Sequence, residues 1–368
     1  MTTIVKTDRH PTLPPPASQS GILGWMRENL FSSPLNIVLT VVAVYISWEA
    51  LSSLISYAII DANFAGTTRE DCTGSGACWV FIKMRFGQIM YGFYPVEERW
   101  RVDVGYVLVA IGLFFVLSDV VKNKKWPAIY LFGFVPVACY FLFYGGAFGL
   151  PVVETPLWGG LFLTLVLASV SIFVSLPLGI VLALGRRSSM PVVRMICVGF
   201  IEFVRGVPLI TVLFMASVML PLFLPEGVNF DKLVRALVGM SLFASAYMAE
   251  VVRGGLQAIP KGQSEAAKSL GLGYWQSMGL IILPQSLKIS IPAIVNTFIG
   301  LFKDTTLVLI IGLLDLLSIV KSGTTDKEWI GMSQEGYLFV AAVFWVFCFG
   351  MSRYSIWLEN KLHTGHKR

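Results

Sequence analysis

What most limits the fold of this chain is the recurrence of apolar runs long enough to cross a lipid bilayer. A crossing helix needs about 20 apolar residues at roughly 1.5 Å of rise each. Eight such runs can be marked, over residues 35–60, 104–121, 126–146, 157–184, 192–224, 233–252, 286–320 and 337–358. Lipid offers a bare backbone no hydrogen bonds, so the runs predict an all-α membrane protein built as a bundle of about eight helices. Only 14% of the 368 residues are charged, against about 25% in soluble domains. The second run is short for a crossing. The fifth and seventh, at 33 and 35 residues, are too long for one, which predicts a break, a strong tilt or an extension beyond the bilayer.

The formal net charge of +6 does not point to nucleic acid, because the basic residues sit in short turns between apolar runs. Lys122, Lys124 and Lys125 fill one turn, Arg186, Arg187 and Arg194 another, and Lys361, Lys367 and Arg368 the tail. Short Lys/Arg-rich loops mark the cytoplasmic side. With eight crossings, both termini and these turns fall on that side together. The opposite side receives the 61–103 loop, with six acidic and five basic residues, and the 321–336 loop with Asp326, Glu328 and Glu335.

Four regions follow: a cytoplasmic tail over 1–34, a three-span extension over 35–150, a five-span region over 151–358, and a cytoplasmic tail over 359–368. The 61–103 loop carries Trp79, Phe81, Met84, Phe86, Ile89, Met90, Tyr91 and Phe93. An interfacial helix and a segment packed on the bundle both account for these residues. The polar start of the chain, with Pro14-Pro15-Pro16, lacks the pattern of a signal peptide and reads as a tail.

Five cysteines are too few and too scattered for a disulfide framework. Cys139, Cys197 and Cys348 lie in apolar runs and read as small hydrophobes. Cys72 and Cys78 flank a polar loop, where an oxidising compartment permits a disulfide; both the bridged and the free state stand at this point. His10, His363 and His366 lie in the tails, and no cluster has metal-ligand spacing.

One cytoplasmic segment differs from the other turns. Over 253–284 the chain predicts two short helices. The first, Lys261 to Leu270, is rich in helix-favouring Ala, Glu, Lys and Leu, with Gly271 where a left-handed cap residue sits. The second, Tyr274 to Leu283, is expected to stop at Pro284. The small Ala266 and Ala267 allow close approach of another surface, suiting a foot that docks in a groove on a partner. An amphipathic linker lying on the membrane fits the residues equally well.

Glu265-Ala266-Ala267, then Gly271, then Ile281-x-Leu283-Pro284 resembles the signature loop of ABC importer permeases. Arg253-Gly254-Gly255, Ile259-Pro260-Lys261-Gly262-Gln263, Glu202-Phe203-Val204-Arg205-Gly206-Val207-Pro208-Leu209 and Lys303-Asp304-Thr305-Thr306-Leu307 resemble the polar amino acid branch of that family. The resemblance covers about residues 157–358, and the first 150 resemble the extension of the general L-amino acid permeases. Val207 departs from the pattern, standing where relatives carry Thr.

The resemblance implies a permease subunit of the bacterial inner membrane, working by alternating access. Glu265, Ala266, Ala267 and Gly271 would form the coupling helix docked on a cytoplasmic ATP-binding subunit dimer. It also implies a second permease subunit, related but different, a periplasmic amino-acid-binding protein, and an amino acid as substrate. No cofactor is expected in this chain, ATP and Mg belonging to the partner.

Charged residues within spans cost roughly 2.5–3.5 kcal/mol each unless paired or facing water. Glu202 and Arg205, three apart on one helical face, are expected to satisfy each other. The following Gly206 and Pro208 predict a helix break that frees backbone groups for a ligand. An amino acid carries both an ammonium and a carboxylate. Asp304, with Thr305 beside it, is therefore expected near the former, and Arg205-Gly206, with Glu202, near the latter. Structural ion pairs or lipid headgroup contacts are the competing account. Glu49 and Asp119 are expected near an interface or paired, and Glu250 with Arg253 is expected to steady the approach to the coupling segment.

No Gly-Lys dipeptide occurs, so a phosphate-cradling P-loop is excluded and enzyme activity is not expected. Two other classes stay open on residues alone. An ion-coupled secondary transporter would need no docking foot, and a membrane scaffold would need no polar path.

Overall fold

The computed structural model describes residues 21–225, 227 and 230–362. The tail expectations for residues 1–20 and 363–368, with all three histidines, lie outside the described residues. The chain divides into two compact units, Met1–Gly66 with Glu70–Trp79, and Thr67–Arg69 with Val80–Arg368.

In the first unit, α1 (Gly21–Asn29) precedes α2 (Pro34–Ile60), the first candidate span. Ser33 caps α2 by accepting from the Asn36 amide at 3.2 Å, and Pro34 occupies the first turn, where its missing N–H costs nothing. None of the α2 side chains is buried: Val38, Val41, Tyr45 and Trp48 all stand exposed, as on a helix whose solvent is lipid. Beyond it, the Ala77 amide donates to the Tyr57 carbonyl at 2.8 Å and the Trp79 indole to the Ala58 carbonyl at 2.7 Å. Cys72 and Cys78 are joined by a disulfide, with Cα atoms 5.7 Å apart.

The second unit holds six more candidate spans as single helices or helix runs: α4 (Val96–Leu117), α5 (Lys125–Tyr144), α6 (Gly160–Arg186), α9 (Lys232–Ala258), α11 (Tyr274–Ile311) and α13 (Ser333–Leu362). An eighth is broken: α7 (Pro191–Arg205) and α8, which runs Leu209–Phe223, meet at 106°. Three short helices complete the unit: α3 (Val80–Tyr91), α10 (Lys261–Ser269) and α12 (Leu316–Thr324).

Proline placement explains several irregular turns. Three π-turns, Tyr130–Phe134, Met215–Met219 and Met278–Ile282, are each followed two residues on by a proline: Pro136, Pro221 and Pro284. Proline donates no N–H and its ring crowds the carbonyl four residues back, so a widened turn that bonds one residue further on accommodates it. The helix starting at Tyr274 therefore does not stop at Pro284, as the sequence suggested, but continues through the π-turn to Asp304 and then as a 3₁₀ helix to Ile311. At the other end, left-handed Gly312 (φ +74°) terminates the helix, so the expected run to residue 320 is two elements. Leu314 and Asp315 pair in extended form with Gly159 and Gly160, and the Asp315 carboxylate caps α12, accepting from the Leu317 and Ser318 amides. Burial pushes the Asp315 pKa up against these hydrogen bonds.

One face of the aromatic stretch after residue 79 packs on the bundle, while Met84, Phe86 and Phe93 stay exposed. Val80, Phe81, Ile82 and Ile89 of α3 are buried, with Phe81 against Trp329 at 5.6 Å. Arg101 is fully buried, its Nε donating to Glu98 at 2.7 Å and its Nη1 to the Pro151 carbonyl at 2.8 Å.

Among the described residues, two apolar clusters hold the unit. One joins Tyr94, Phe143, Trp158, Phe162, Leu213, Met240 and Val308. The other joins Ala183, Ile201, Met248, Val252, Leu256, Ile282 and Ile294. Small residues set the spacing, as helices in lipid require. A Cβ on Gly179 would lie 2.7 Å from the Met248 Cβ, and one on Gly255 would lie 2.0 Å from Ser290 Oγ and 2.7 Å from the Ser286 carbonyl oxygen. Gly255→Leu is expected to prise α9 from α11 and destabilise the chain by about 3 kcal/mol. Thermal unfolding in detergent checks this, and Gly254→Leu, at a position with no atom within 4 Å, is the control.

Candidate functional site

The 253–284 segment leaves the bundle as a short helix with an exposed surface. Pro260 starts α10, and the helix ends in a Schellman motif: Leu272 N–H donates to the Ala267 carbonyl at 3.1 Å and Gly271 N–H to that of Lys268 at 2.9 Å. Gly271 has φ +76°, a conformation that a side chain strains. Along α10 only Ala267 is buried, while Glu265, Ala266 and Lys268 face outward. Beyond the turn Leu270, Tyr274 and Trp275 are exposed at 77%, 53% and 74%. Gln285 Nε2 donates to Gln263 Oε1 at 3.2 Å, tying α10 to α11.

Next to this segment, the ends of α6, α7 and α9 converge on a network of charge. Arg186 Nη1 donates to Glu202 Oε1 at 2.9 Å and to Glu250 Oε1 at 2.7 Å. Arg253 grips Glu250 Oε2 with Nε at 2.9 Å and Nη2 at 2.7 Å, as its i, i+3 spacing led one to expect. Arg205 Nη1 lies 3.6 Å from Glu250 Oε2, and its guanidinium stands 5.7 Å over the Tyr247 ring.

The expected Glu202–Arg205 pair is thus not formed. Three-residue spacing puts both on one face, but each turns to a different helix: Glu202 to α6 and Arg205 to α9. Arg186 was legible only as a turn residue, and nothing in its spacing showed that it joins three helices.

The second irregular point is at Asp304, where α11 passes into its 3₁₀ end. Thr305 is fully buried, with Oγ1 donating to the Phe302 carbonyl at 2.7 Å, whereas Asp304 is part-buried and Lys303 exposed. The break at Gly206–Pro208 leads directly into Leu209–Phe214, which packs against Thr305–Ile311. Arg205 and Asp304 thus flank two packed elements, but no ion pair joins them among the described residues. Asp119 pairs with Lys361, while Glu49 is exposed on α2.

A bundle of apolar helices, one of them broken, with a small-residue helix standing clear at one end, defines a multi-pass membrane transport component. Residues 175–364 match the family described as binding-protein-dependent transport system inner membrane component, and the chain belongs to that family. It is 55% identical over 361 residues to the inner membrane amino-acid ABC transporter permease protein YhdY of Escherichia coli (strain K12), covering 97% of each chain. It is 42% identical to the glutamate/glutamine/aspartate/asparagine transport system permease protein BztC of Rhodobacter capsulatus, covering 100% of this chain and 99% of the relative. Among solved structures, an amino acid ABC transporter shares 31% identity over 55% of this chain and 92% of its own, with a TM-score of 0.48.

Proposed function

We propose that the chain is the membrane-spanning permease subunit of an ATP-driven importer of L-amino acids. The observation that carries the reading is the exposed, Schellman-capped helix Lys261–Ser269 in a chain of this family. Glu265, Ala266, Ala267 and Gly271 form the foot that an ATP-binding subunit dimer moves, and ATP with its Mg stays on that partner. A second, related permease subunit completes the path, because one bundle of this size cannot enclose it. A periplasmic binding protein delivers the amino acid to the opposite face. Both termini and the arginine-rich turn face the cytoplasm, in line with the positive-inside rule.

The amino acid passes between the break at Arg205-Gly206 and the turn at Asp304-Thr305, with Glu202 at the inner rim of the path. Asp304 supplies the negative charge for the ammonium group, and the free backbone after Gly206 favours the carboxylate. Asp304→Asn removes the charge at constant volume and is expected to lower uptake about tenfold or more, the worth of one charge-assisted contact. Uptake of labelled amino acids, set against the amount of assembled complex, checks this. Normal uptake with normal assembly removes Asp304 from the path.

A further inference from the structure

A cavity of about 460 Å³ opens between the ends of α6, α7 and α9, lined by Arg186, Arg187, Arg194, Val198, Arg253 and Gln257. A second hollow of about 400 Å³ continues from it along α7, sharing Arg194 and Val198 and adding Ser188, Ser189, Pro191 and Met195. Four guanidiniums line it, Arg205 joins them through Glu250, and the carboxylates that reach the group among the described residues are Glu202 and Glu250. Arg186, Arg205 and Arg253 share those two groups. Arg187 makes only a 3.5 Å contact to the Leu256 carbonyl, and Arg194 has no carboxylate partner among the described residues. The cavity therefore carries excess positive charge at the polar end of three membrane helices.

Apolar side chains of α7 adjoin these cations. Val198 lines both hollows, and Met195, 69% exposed, lines the second beside Arg194. Fixed cations beside a strip of exposed hydrocarbon fit an amphiphile with an anionic head better than a small soluble anion.

We infer that this cavity binds the phosphate of an anionic phospholipid, with Arg187 and Arg194 contacting the headgroup and Met195 and Val198 of α7 lying along an acyl chain. The headgroup neutralises the charge that Glu202 and Glu250 leave unbalanced, and so steadies the joint between α6, α7 and α9.

Native mass spectrometry of the full chain in detergent, titrated with phosphatidylglycerol, phosphatidylcholine or inorganic phosphate, tests this. Wild type is expected to hold phosphatidylglycerol about 25-fold more tightly than Arg187→Gln/Arg194→Gln, at roughly a fivefold loss per surface cation removed. Arg187→Lys/Arg194→Lys is expected to keep most of the affinity, and phosphatidylcholine is expected to bind both alike. Lys122→Gln/Lys125→Gln, which removes the same charge elsewhere, is expected to bind as wild type. Equal phosphatidylglycerol binding by wild type and the glutamine variant overturns the inference, as does an equal loss in the Lys122/Lys125 control. Displacement of the lipid by inorganic phosphate at comparable concentration assigns the cavity to a free anion and overturns it too. Arg194→Gln alone, at an exposed position outside the ion-pair network, serves should the double variant not fold.

Discussion

Ala266→Trp is expected to abolish uptake while the chain still inserts in normal amount. Ala266 is exposed on α10, so an indole there meets no atom of this chain's core and leaves the fold in place. A partner surface that accommodates a methyl group does not accommodate a ring. Loss of central contacts in an interface costs about 2–4 kcal/mol, which corresponds to roughly 30-fold to 1000-fold weaker docking. The amount of ATP-binding subunit recovered with the purified chain, read beside uptake, checks the result. Ala267→Trp is expected to fail differently, by unfolding α10 from the bundle, because Ala267 is 1% exposed.

Glu250→Gln is expected to be the most damaging single change in the charged network. The residue receives Arg186, Arg205 and Arg253, and its loss leaves Arg186 with Glu202 alone and takes the carboxylate from Arg205 and Arg253. Breaking a fully buried pair costs about 3–5 kcal/mol; the side chains here are 15–35% exposed, which lowers the expected cost to about 2 kcal/mol. Glu202→Gln, at a carboxylate 55% exposed and held by Arg186 alone, is expected to cost under about 1 kcal/mol. Thermal unfolding of both variants in one detergent ranks them, and a reversed order contradicts the central place given to Glu250.

Much of this fold can be read in the residues. The spans announce themselves because lipid forces a backbone to satisfy its own hydrogen bonds, and that demand writes long apolar runs. The break in the fifth span is legible in Gly206 and Pro208, and the end of α10 in Gly271. Local backbone chemistry decides both points, so local sequence suffices.

Where tertiary packing decides, the sequence misleads. Pro284 looks like a stop, yet a π-turn carries the helix past it, because α9 packs along the continuing helix through Gly255, Ser286 and Ser290. Glu202 and Arg205 look like a pair, yet Arg186 arrives from the preceding helix and Glu250 from the span after the broken one, and they take one each. Spacing tells which face a charge occupies and says nothing of what stands opposite. The same limit hid the arginine cavity: its cations are visible in the turn after α6, but the excess becomes apparent only when the pairs are counted in space.

The importer account rests on α10 touching an ATP-binding subunit on the cytoplasmic side. The most direct measurement places a photo-crosslinking amino acid at position 266 of the full chain, expressed with its partners, and identifies what is captured on illumination. The account predicts a crosslink to the ATP-binding subunit, lost when that subunit is absent. Capture of lipid or of a protein on the periplasmic side, with none to an ATP-binding subunit, would contradict it.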